Sequence, residues 1–337
     1  MQTTSSHSTK LCPICNINKP SLKRPKTQTL SCTSCFINAF EHEIHQTIIE
    51  NNIFTPNETI CIGISGGKDS TVLAYVLNKL NIKHDYKLNI QLLAIDEGIK
   101  GYRDDSLETV KQNAKELNLP LTIISYKELF KYTMDDVVAL TGVVNSCTYC
   151  GVFRRQALDL GAKKLNATKL VTGHNADDMA ETVMMNLLRG DYNRLPKSVE
   201  CLSGGDVPRV KPFKYVYEKE IVMYAHYLKL LYFCTECTYA VSAYRGNVRE
   251  LIKELERERS TCIIDIIHSA EEWKIDEGVK QRMKMHCKRC GNVSSNEICK
   301  GCELLGKLDE IKKQKPEEAK KVQNKNLERA KRLGRAS

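Results

Sequence analysis

The sequence predicts an α/β protein with a doubly wound parallel sheet, flanked by N- and C-terminal zinc ribbons and a helical extension. Short apolar runs alternate with longer amphipathic segments from residue 59 to residue 189, which is typical of parallel strands joined by helices. One predicted strand leads through a glycine-rich turn directly into a helix. Cysteine pairs with CxxC spacing occur near both ends of the chain, as in zinc ribbons.

The elements follow in a regular order. An amphipathic helix is predicted at 36–51, because apolar side chains recur there every three to four residues. Strands are predicted at 59–64, 90–95, 121–125 and 169–172, with helices at 68–81, 104–118, 151–166 and 176–189. Residues 218–232 and 248–285 also have helical patterns. The predicted units are an N-terminal ribbon at 1–35, an α/β core at 36–215, a helical extension at 216–285, a C-terminal ribbon at 286–306 and a basic tail at 307–337. The tail is expected to be disordered, with a solvated single helix as the alternative.

Composition and charge narrow the class of protein. No apolar run approaches the roughly 20 residues that span a bilayer, and the first residues lack a signal-peptide pattern. We therefore expect a cytoplasmic protein with no membrane partner. The net charge is +10, and residues 307–337 hold 11 Lys and Arg against 5 Asp and Glu. This uneven basic charge favours a nucleic-acid partner.

The glycine-rich turn is the strongest functional signal. A strand, a turn and a helix N-terminus form an anion site, since free N–H groups and the helix dipole point at the ligand. The turn is not a Walker P-loop, because Ile62 stands where that pattern needs glycine and Asp69 follows the lysine. An ordinary tight turn is the alternative. We expect phosphate binding by Ser65, Gly66, Gly67, Lys68, Asp69 and Ser70.

Polar residues follow two other predicted strands. Ligands of open α/β sheets bind at the carboxyl ends of strands, so we expect these residues to complete the same site. They are Ala94 and Asp96 after one strand, and Gly173, His174, Asp177 and Asp178 after another. The alternatives are a turn at Asp96 before Gly98, and capping of the next helix by Asn175 and the acids that follow it.

Eleven of the 15 cysteines fall into three groups. Two sets of four have the spacing of closed zinc sites, in which two CxxC turns complete a tetrahedron of thiolates. They are Cys12, Cys15, Cys32 and Cys35, and Cys287, Cys290, Cys299 and Cys302. Redox-active or unpaired thiols are the alternative. The third group is predicted to pack in apolar surroundings and consists of Cys61, Cys201 and Cys262.

Four further cysteines lie near the middle of the chain. Cys147 and Cys150 precede a predicted helix with two adjacent arginines. A helix N-terminus and neighbouring arginines favour thiolates, so these thiols suit reactive or metal-binding sulfur. A third thiol must come from elsewhere in the chain, and the candidates are Cys234 and Cys237.

These motifs, in this order, resemble those of the catalytic subunits of the cytosolic tRNA 2-thiolation system, a family of PP-loop ATP pyrophosphatases. The resemblance covers residues 10–305 and rests on the terminal CxxC pairs and on SGGKDS, AIDEGI, CTYCGVFRR, TGHNADD and TECTYAVSAYRG. It implies adenylation by ATP of the 2-oxo group of the wobble uridine in tRNAs for Lys, Glu and Gln, after which sulfur displaces AMP. It also implies two protein partners, a second subunit in a heterodimer and a ubiquitin-like carrier that supplies the sulfur.

The resemblance also implies roles for single residues. The PP-loop residues would hold the leaving pyrophosphate, with Lys68 neutralising charge and Asp69 placing Mg²⁺. Asp178 is assigned to catalysis, beside ATP-binding residues that include Asp96, His174 and Asp177.

A 4Fe-4S cluster is implied at Cys147, Cys150 and Cys237, because three protein ligands leave one iron free for sulfur. Zinc in place of the cluster is the alternative. Arg154 and Arg155 are expected to contact tRNA or a sulfur anion. Since a guanidinium stays charged, Arg154 is not expected to act as a general base.

Two other functions fit parts of the pattern. One is 2-thiolation of a tRNA cytidine by a related PP-loop enzyme, which the zinc-binding ends disfavour. The other is a non-catalytic zinc-ribbon scaffold that binds tRNA, which the intact Lys68, Asp69 and Ser70 disfavour.

Overall fold

The computed structural model describes residues 11–144, 146–235, 237–239, 244–274 and 284–314. The strands are β1 (Leu22–Lys23), β2 (Leu30–Ser31), β3 (Thr59–Gly63), β4 (Asn89–Asp96), β5 (Leu121–Ser125), β6 (Lys169–Val171), β7 (Leu202–Ser203), β8 (Arg209–Val210), β9 (Met285–His286) and β10 (Val293–Ser294). The α-helices are α1 (Thr33–Glu50), α2 (Lys68–Lys83), α3 (Tyr102–Leu117), α4 (Tyr126–Phe130), α5 (Met134–Thr141), α6 (Ser146–Lys164), α7 (Ala176–Leu188), α8 (Leu195–Val199), α9 (Glu218–Tyr227), α10 (Arg245–Glu258), α11 (Cys262–Glu271) and α12 (Lys300–Gln314). A 3₁₀ turn at Tyr192–Arg194 precedes α8.

The central sheet has six strands in the order β5–β4–β3–β6–β8–β7. The first five in that order are parallel, and β7 is antiparallel at the edge. The predicted doubly wound sheet is confirmed, and the four predicted strands are neighbours in the order β5–β4–β3–β6. Strands β7 and β8 were not predicted, because two residues each are too few to show a period of two.

The sheet buries both faces, and residues along one strand alternate between them. Ile60 and Ile62 pack with α1, α2 and α9, whereas Cys61 between them packs with α6 and α12. This is the period of two expected of a strand. Cys61, Cys201 and Cys262 are all buried, as predicted for packing residues.

The helical extension packs against α7 as a separate apolar cluster that includes α8, α10 and α11. The helical pattern predicted at 248–285 corresponds to two helices, since α10 ends at Glu258 and α11 begins at Cys262, and it is wrong at Met285, which lies in β9. The backbone of Arg259 is extended, which separates the two helices. The helix predicted at 218–232 ends at Tyr227, and Lys229 has a positive φ of 53°. Residues 275–283 lie outside the described part of the chain.

Each end of the described chain has a two-stranded hairpin followed by a helix. The β1–β2 hairpin leads into α1, and the β9–β10 hairpin leads into α12. The tail predicted from residue 307 is wrong over 307–314, because α12 continues to Gln314 and Leu308 is fully buried. Residues 315–337 lie outside the described part. No described helix has the length and apolar character that a membrane span requires.

Candidate active site

The phosphate loop connects β3 to α2 at the carboxyl edge of the sheet. Gly66 has a φ of +87°, and a Cβ atom there would lie 2.6 Å from the carbonyl oxygen of Ser106, so only glycine fits without a backbone shift. Ser70 Oγ donates to the Gly67 carbonyl at 3.0 Å and accepts from the Ser65 N–H at 3.1 Å. No side chain caps the beginning of α2, so its first N–H groups are available to phosphate oxygens.

The phosphate loop, the end of β4 and the segment between β6 and α7 meet around a cavity of about 340 Å³. We call it the ATP cavity. Its volume lies within the range of about 300–1,000 Å³ that small-ligand sites occupy. The predicted residues on its wall are Ser65, Gly67, Asp69, Ser70, Arg154, Gly173, His174 and Asp178. The structure therefore brings the three predicted segments together.

Gly66 and Lys68 belong to the phosphate loop but do not line that wall. Three predicted ATP ligands outside the loop also lie away from it. Ala94 is fully buried in the core on the α2 side of the sheet. Asp96 accepts a hydrogen bond from the Gly98 N–H at 2.8 Å and so forms a turn. Asp177 is buried, accepts from the first backbone N–H of α9 at 2.7 Å and pairs with Lys253. The contacts of these residues are those of the fold itself.

Lys68 begins α2, and its ammonium group lies between two carboxylates. Its Nζ is 3.1 Å from Asp69 Oδ2 and 2.8 Å from Glu218 Oε1. Although burial opposes the charge, the two acids raise the pKa of Lys68. The lysine is therefore a permanent cation at the phosphate loop, and a phosphate oxygen can replace either acid as its partner.

Asp69 and Asp178 are joined by the side chain of Asn175. Asn175 Nδ2 donates to Asp69 Oδ1 at 3.0 Å, and Asn175 Oδ1 accepts from the Asp178 N–H at 3.0 Å. Burial raises the pKa of Asp178 to about 6 against the opposing charge of Arg245. Carboxylate oxygens beside a phosphate loop are ligands that Mg²⁺ prefers. Asn175 thus has both the predicted capping role and a place in the site.

A continuous series of polar contacts joins the phosphate loop to the central thiols. Arg103 Nη1 donates to the Ser65 carbonyl at 2.8 Å, and Arg103 Nε lies 2.9 Å from Glu97 Oε2. Arg154 Nε donates to the other oxygen of Glu97 at 2.8 Å, and Arg154 Nη2 lies 3.4 Å from Cys150 Sγ. Glu97 is 3% exposed and Arg103 is 4% exposed. Burial of this kind strengthens the attraction between opposite charges.

Sequence reasoning missed Glu97, Arg103 and Arg245 as cavity residues. The signal for Glu97 was present, since Leu93, Ile95 and Glu97 follow the period of two in β4 and all three line the cavity. Ala94 and Asp96 were predicted instead. They alternate with those three residues along β4, so their side chains point to the opposite face of the strand. Arg103 and Arg245 carried no local signal, because tertiary packing brings them from distant segments.

Cys147 and Cys150 lie in the first turn of α6, which begins at Ser146, earlier than the predicted 151. Cys147 is exposed, and its Sγ lies 3.9 Å from the carbonyl oxygen of Tyr239. Burial raises the pKa of Cys150, and the charge of the neighbouring Cys237 acts in the same direction. The three predicted thiols therefore share one neighbourhood at the end of the contact series.

A cluster fits this donor set, because Arg154 lies beside Cys150, Cys150 and Cys237 pack against the same apolar cluster, and Cys147 lies at the neighbouring Tyr239. In the described part of the chain, groups of at least three metal-binding side chains within 4.8 Å of one another occur only in the ribbons. An iron–sulfur cluster does not require such closeness, since each thiolate binds a different iron. Cys234 is exposed, whereas Cys237 is half-buried beside Cys150, which favours Cys237 as the third ligand.

Each ribbon draws its four predicted thiols together. The sulfur atoms of Cys12, Cys15, Cys32 and Cys35 lie within 4.8 Å of one another, as do those of Cys287, Cys290, Cys299 and Cys302. Backbone N–H groups point at the sulfurs, for example from Cys32 to Cys12 at 3.3 Å and from Cys299 to Cys287 at 3.2 Å. Although burial opposes it, these donors lower the pKa of Cys12 to about 6. Two closed four-thiol sites fit zinc ribbons.

Comparison with known proteins agrees with this geometry. A family of PP-loop domains matches residues 37–255. A solved structure of the U34-tRNA thiolase NcsA from Methanococcus maripaludis, with its 4Fe-4S cluster, is 29% identical and superposes with a TM-score of 0.76. That superposition covers 89% of this chain and 96% of the other chain.

Curated relatives are more similar in sequence. Cytoplasmic tRNA 2-thiolation protein 1 of Dictyostelium discoideum is 56% identical over 309 residues, which are 91% of this chain and 86% of the relative. The protein of the same name from Arabidopsis thaliana is 57% identical over 302 residues, which are 89% of this chain and 85% of the relative. The chain therefore belongs to the cytoplasmic tRNA 2-thiolation protein 1 family, within the larger family of PP-loop domains.

Proposed function

We propose that this chain is an ATP-dependent tRNA sulfurtransferase that converts the wobble uridine of tRNA to 2-thiouridine. The 2-oxo group attacks the α-phosphorus of ATP and pyrophosphate leaves, which gives an adenylated uridine. Sulfur then adds at carbon 2 and AMP departs with the original oxygen. The observation that carries the proposal is the contact series from Ser65 to Cys150, because it joins a phosphate loop and a thiol site in one centre.

In the first step, different residues of the chain bind the pyrophosphate and the Mg²⁺ ion. The N–H groups at the beginning of α2 and the ammonium group of Lys68 hold the leaving pyrophosphate. Asp69 and Asp178 supply oxygen ligands for Mg²⁺, which offsets the charge of the phosphates. These groups stabilise charge that grows as pyrophosphate departs.

Arg154 acts on the sulfur side of the site. Its guanidinium contacts both Glu97 and Cys150. Although burial opposes the charge, Glu97 raises the pKa of Arg154, so this residue binds anions and transfers no proton. In the proposed reaction it holds the incoming sulfur, or the departing AMP, in position.

The iron–sulfur cluster and the two zinc ions are proposed to have different roles. A 4Fe-4S cluster held by Cys147, Cys150 and Cys237 supplies an iron with an open position for sulfur. The two ribbons hold zinc in closed sites, which leave no position for a substrate. Metal analysis of anaerobically purified protein should find about two zinc and about four iron per chain. One zinc per chain, or no iron, would contradict this assignment.

The substrate set and the partners rest on the family. The names of the relatives support tRNA 2-thiolation and the cytoplasm as the location. As substrates we propose the tRNAs for Lys, Glu and Gln. We also propose a heterodimer with a second subunit, and a ubiquitin-like carrier whose C-terminal thiocarboxylate supplies the sulfur. Pull-down from cell extract with the tagged chain, followed by mass spectrometry, should recover both proteins.

A reconstituted reaction tests the proposal. Anaerobic protein is mixed with ATP, Mg²⁺, sulfide and a tRNA transcript, and both pyrophosphate and modified nucleosides are measured. The expected result is pyrophosphate release that depends on tRNA, together with 2-thiouridine. Appearance of 2-thiocytidine would favour the related cytidine enzyme. Binding of tRNA with no pyrophosphate release would favour a non-catalytic scaffold.

A further inference from the structure

A second cavity of about 430 Å³ opens beside the ATP cavity, and Thr172, His174 and Asp178 belong to both walls. We call it the side cavity. It lies between α6, α8, the β7–β8 hairpin and the C-terminal ribbon. A ligand in the side cavity therefore reaches the ATP cavity across the three shared residues.

The wall of the side cavity carries both charges, with three acids (Asp159, Asp178 and Asp206) and one more cation than acids. Its cations include Arg155, Arg209 and Lys211. Arg209 is paired with Asp159 at 2.7 Å. In the described part of the chain, the guanidinium of Arg155 makes no hydrogen bond and no ion pair.

Lys211 likewise has no carboxylate partner among the described residues, and its Nζ donates to the Ser198 and Glu200 carbonyls at 3.5 and 3.0 Å. The electrostatics agree with this arrangement. The protein packed around its guanidinium and the charge of Arg209 lower the pKa of Arg155, although the residue is exposed. Burial and neighbouring cations also lower the pKa of Lys211, although Cys201 and Glu200 oppose them. A bound anion would raise the pKa of both residues again.

The C-terminal ribbon adds an unsatisfied donor to the same wall. Asn292 is 9% exposed, and its Nδ2 has no hydrogen-bond partner in the described structure. A buried amide without a partner costs free energy, so an acceptor is expected from a ligand. The ribbon is held against α6 by Gln156 Nε2, which lies 3.6 Å from Cys290 Sγ.

We propose that the side cavity receives the target nucleotide of the tRNA, with Arg155, Lys211 and Asn292 holding the phosphodiester beside it and the base directed at His174 and Asp178. RNA enzymes of this kind bind bases that have left the stack of the loop. The inference rests on the proposed function and adds the place where the RNA enters. It also makes the C-terminal ribbon part of the substrate site.

Two variants test the inference through the KM for tRNA and the salt dependence of tRNA affinity. Arg155→Gln removes a phosphate contact, so the KM for tRNA should rise about tenfold and the slope of log affinity against log salt should fall by about 0.7–0.9. Asn292→Ala removes a neutral donor, so the KM should rise about fivefold with the salt slope unchanged. Arg155→Lys should recover part of the loss. In each variant the KM for ATP should stay within about twofold of that of the unchanged protein.

Arg257→Gln is the matched control, because Arg257 is exposed on α10 and lines neither cavity. Unchanged tRNA KM and salt slope in Arg155→Gln, in a protein that still forms 2-thiouridine, would overturn the inference and leave the proposed function intact. A raised KM for ATP would assign the cavity to the nucleotide triphosphate, and a raised KM for the sulfur carrier alone would assign it to that protein. Absence of tRNA-dependent activity in the unchanged protein would instead defeat the proposed function.

Discussion

Arg154 donates a hydrogen bond of 2.8 Å from Nε to Oε1 of Glu97. Through its other oxygen, Glu97 pairs with Arg103, which holds the backbone of the phosphate loop. A buried acid thus sits between two arginines that serve different halves of the proposed reaction.

Glu97→Gln should damage both stability and thiolation. Gln keeps the shape of the side chain but leaves two guanidinium groups without their buried counter-charge. Loss of one partner from a buried pair costs about 3 kcal/mol in free energy of unfolding, which denaturant unfolding would measure. Asp96→Asn is the matched control, since Asp96 accepts from the Gly98 N–H and does not line the cavity. Equal unfolding free energies for the two variants would contradict the role of Glu97.

Lys68→Ala should lose adenylation and keep its fold. The ammonium group is a charge contact for the leaving pyrophosphate, and removal of one such contact lowers the rate by about 10²–10³. The measurement is tRNA-dependent pyrophosphate release. Lys83→Ala is the control, because Lys83 ends the same helix and is half-exposed away from the cavity. Activity of Lys68→Ala within a few-fold of Lys83→Ala would refute the assignment.

Serine at Cys147, Cys150 or Cys237 should remove the cluster. Each thiolate is proposed to bind one iron, so each change should reduce the brown absorbance of anaerobically purified protein and abolish 2-thiouridine formation. Cys234→Ser is the control, since Cys234 is exposed three residues before Cys237. If Cys234→Ser bleaches the protein and Cys237→Ser does not, the third ligand is Cys234.

His174 makes the free energy of unfolding depend on pH. Its ring is exposed at the cavity, and the protein around it, with the charges of Lys211 and Arg245, lowers the pKa of His174 to about 4. Between about pH 4 and 6.5 the unfolded chain then binds more protons at this residue than the folded chain. The advantage in unfolding free energy of the unchanged protein over His174→Gln should therefore grow as pH rises through that window and stay level above it. An advantage that shrinks with rising pH would contradict the neutral ring.

The sequence patterns predicted those parts of the fold that repeat locally. The period of two in β3 and β4 and the helical spacing in α2 are properties of neighbouring residues, so they could be recognised without the structure. The two-residue strands β7 and β8 have no such period. Residues 300–306 were predicted as part of the ribbon and residues from 307 as a solvated tail, because charged residues conceal the buried Leu308 that stabilises α12.

The residues of the phosphate loop were predicted from the sequence, whereas the residues that reach the site from distant segments were missed. Ser65, Asp69 and Asp178 lie in compact motifs at strand ends, and the structure places them around one cavity. Arg103 and Arg245 come from α3 and α10, and tertiary packing alone brings them to that cavity. The choice of Asp96 over Glu97 ignored the alternation of side chains along β4.

Nucleoside mass spectrometry of tRNA tests the central claim most directly. The gene for this chain is deleted in its source cells, and total tRNA is digested and analysed with and without the unchanged protein or the Lys68→Ala variant. The account predicts that 2-thiouridine at the wobble position disappears on deletion, returns with the unchanged protein and stays absent with Lys68→Ala. Undiminished wobble 2-thiouridine in the deleted cells would contradict it.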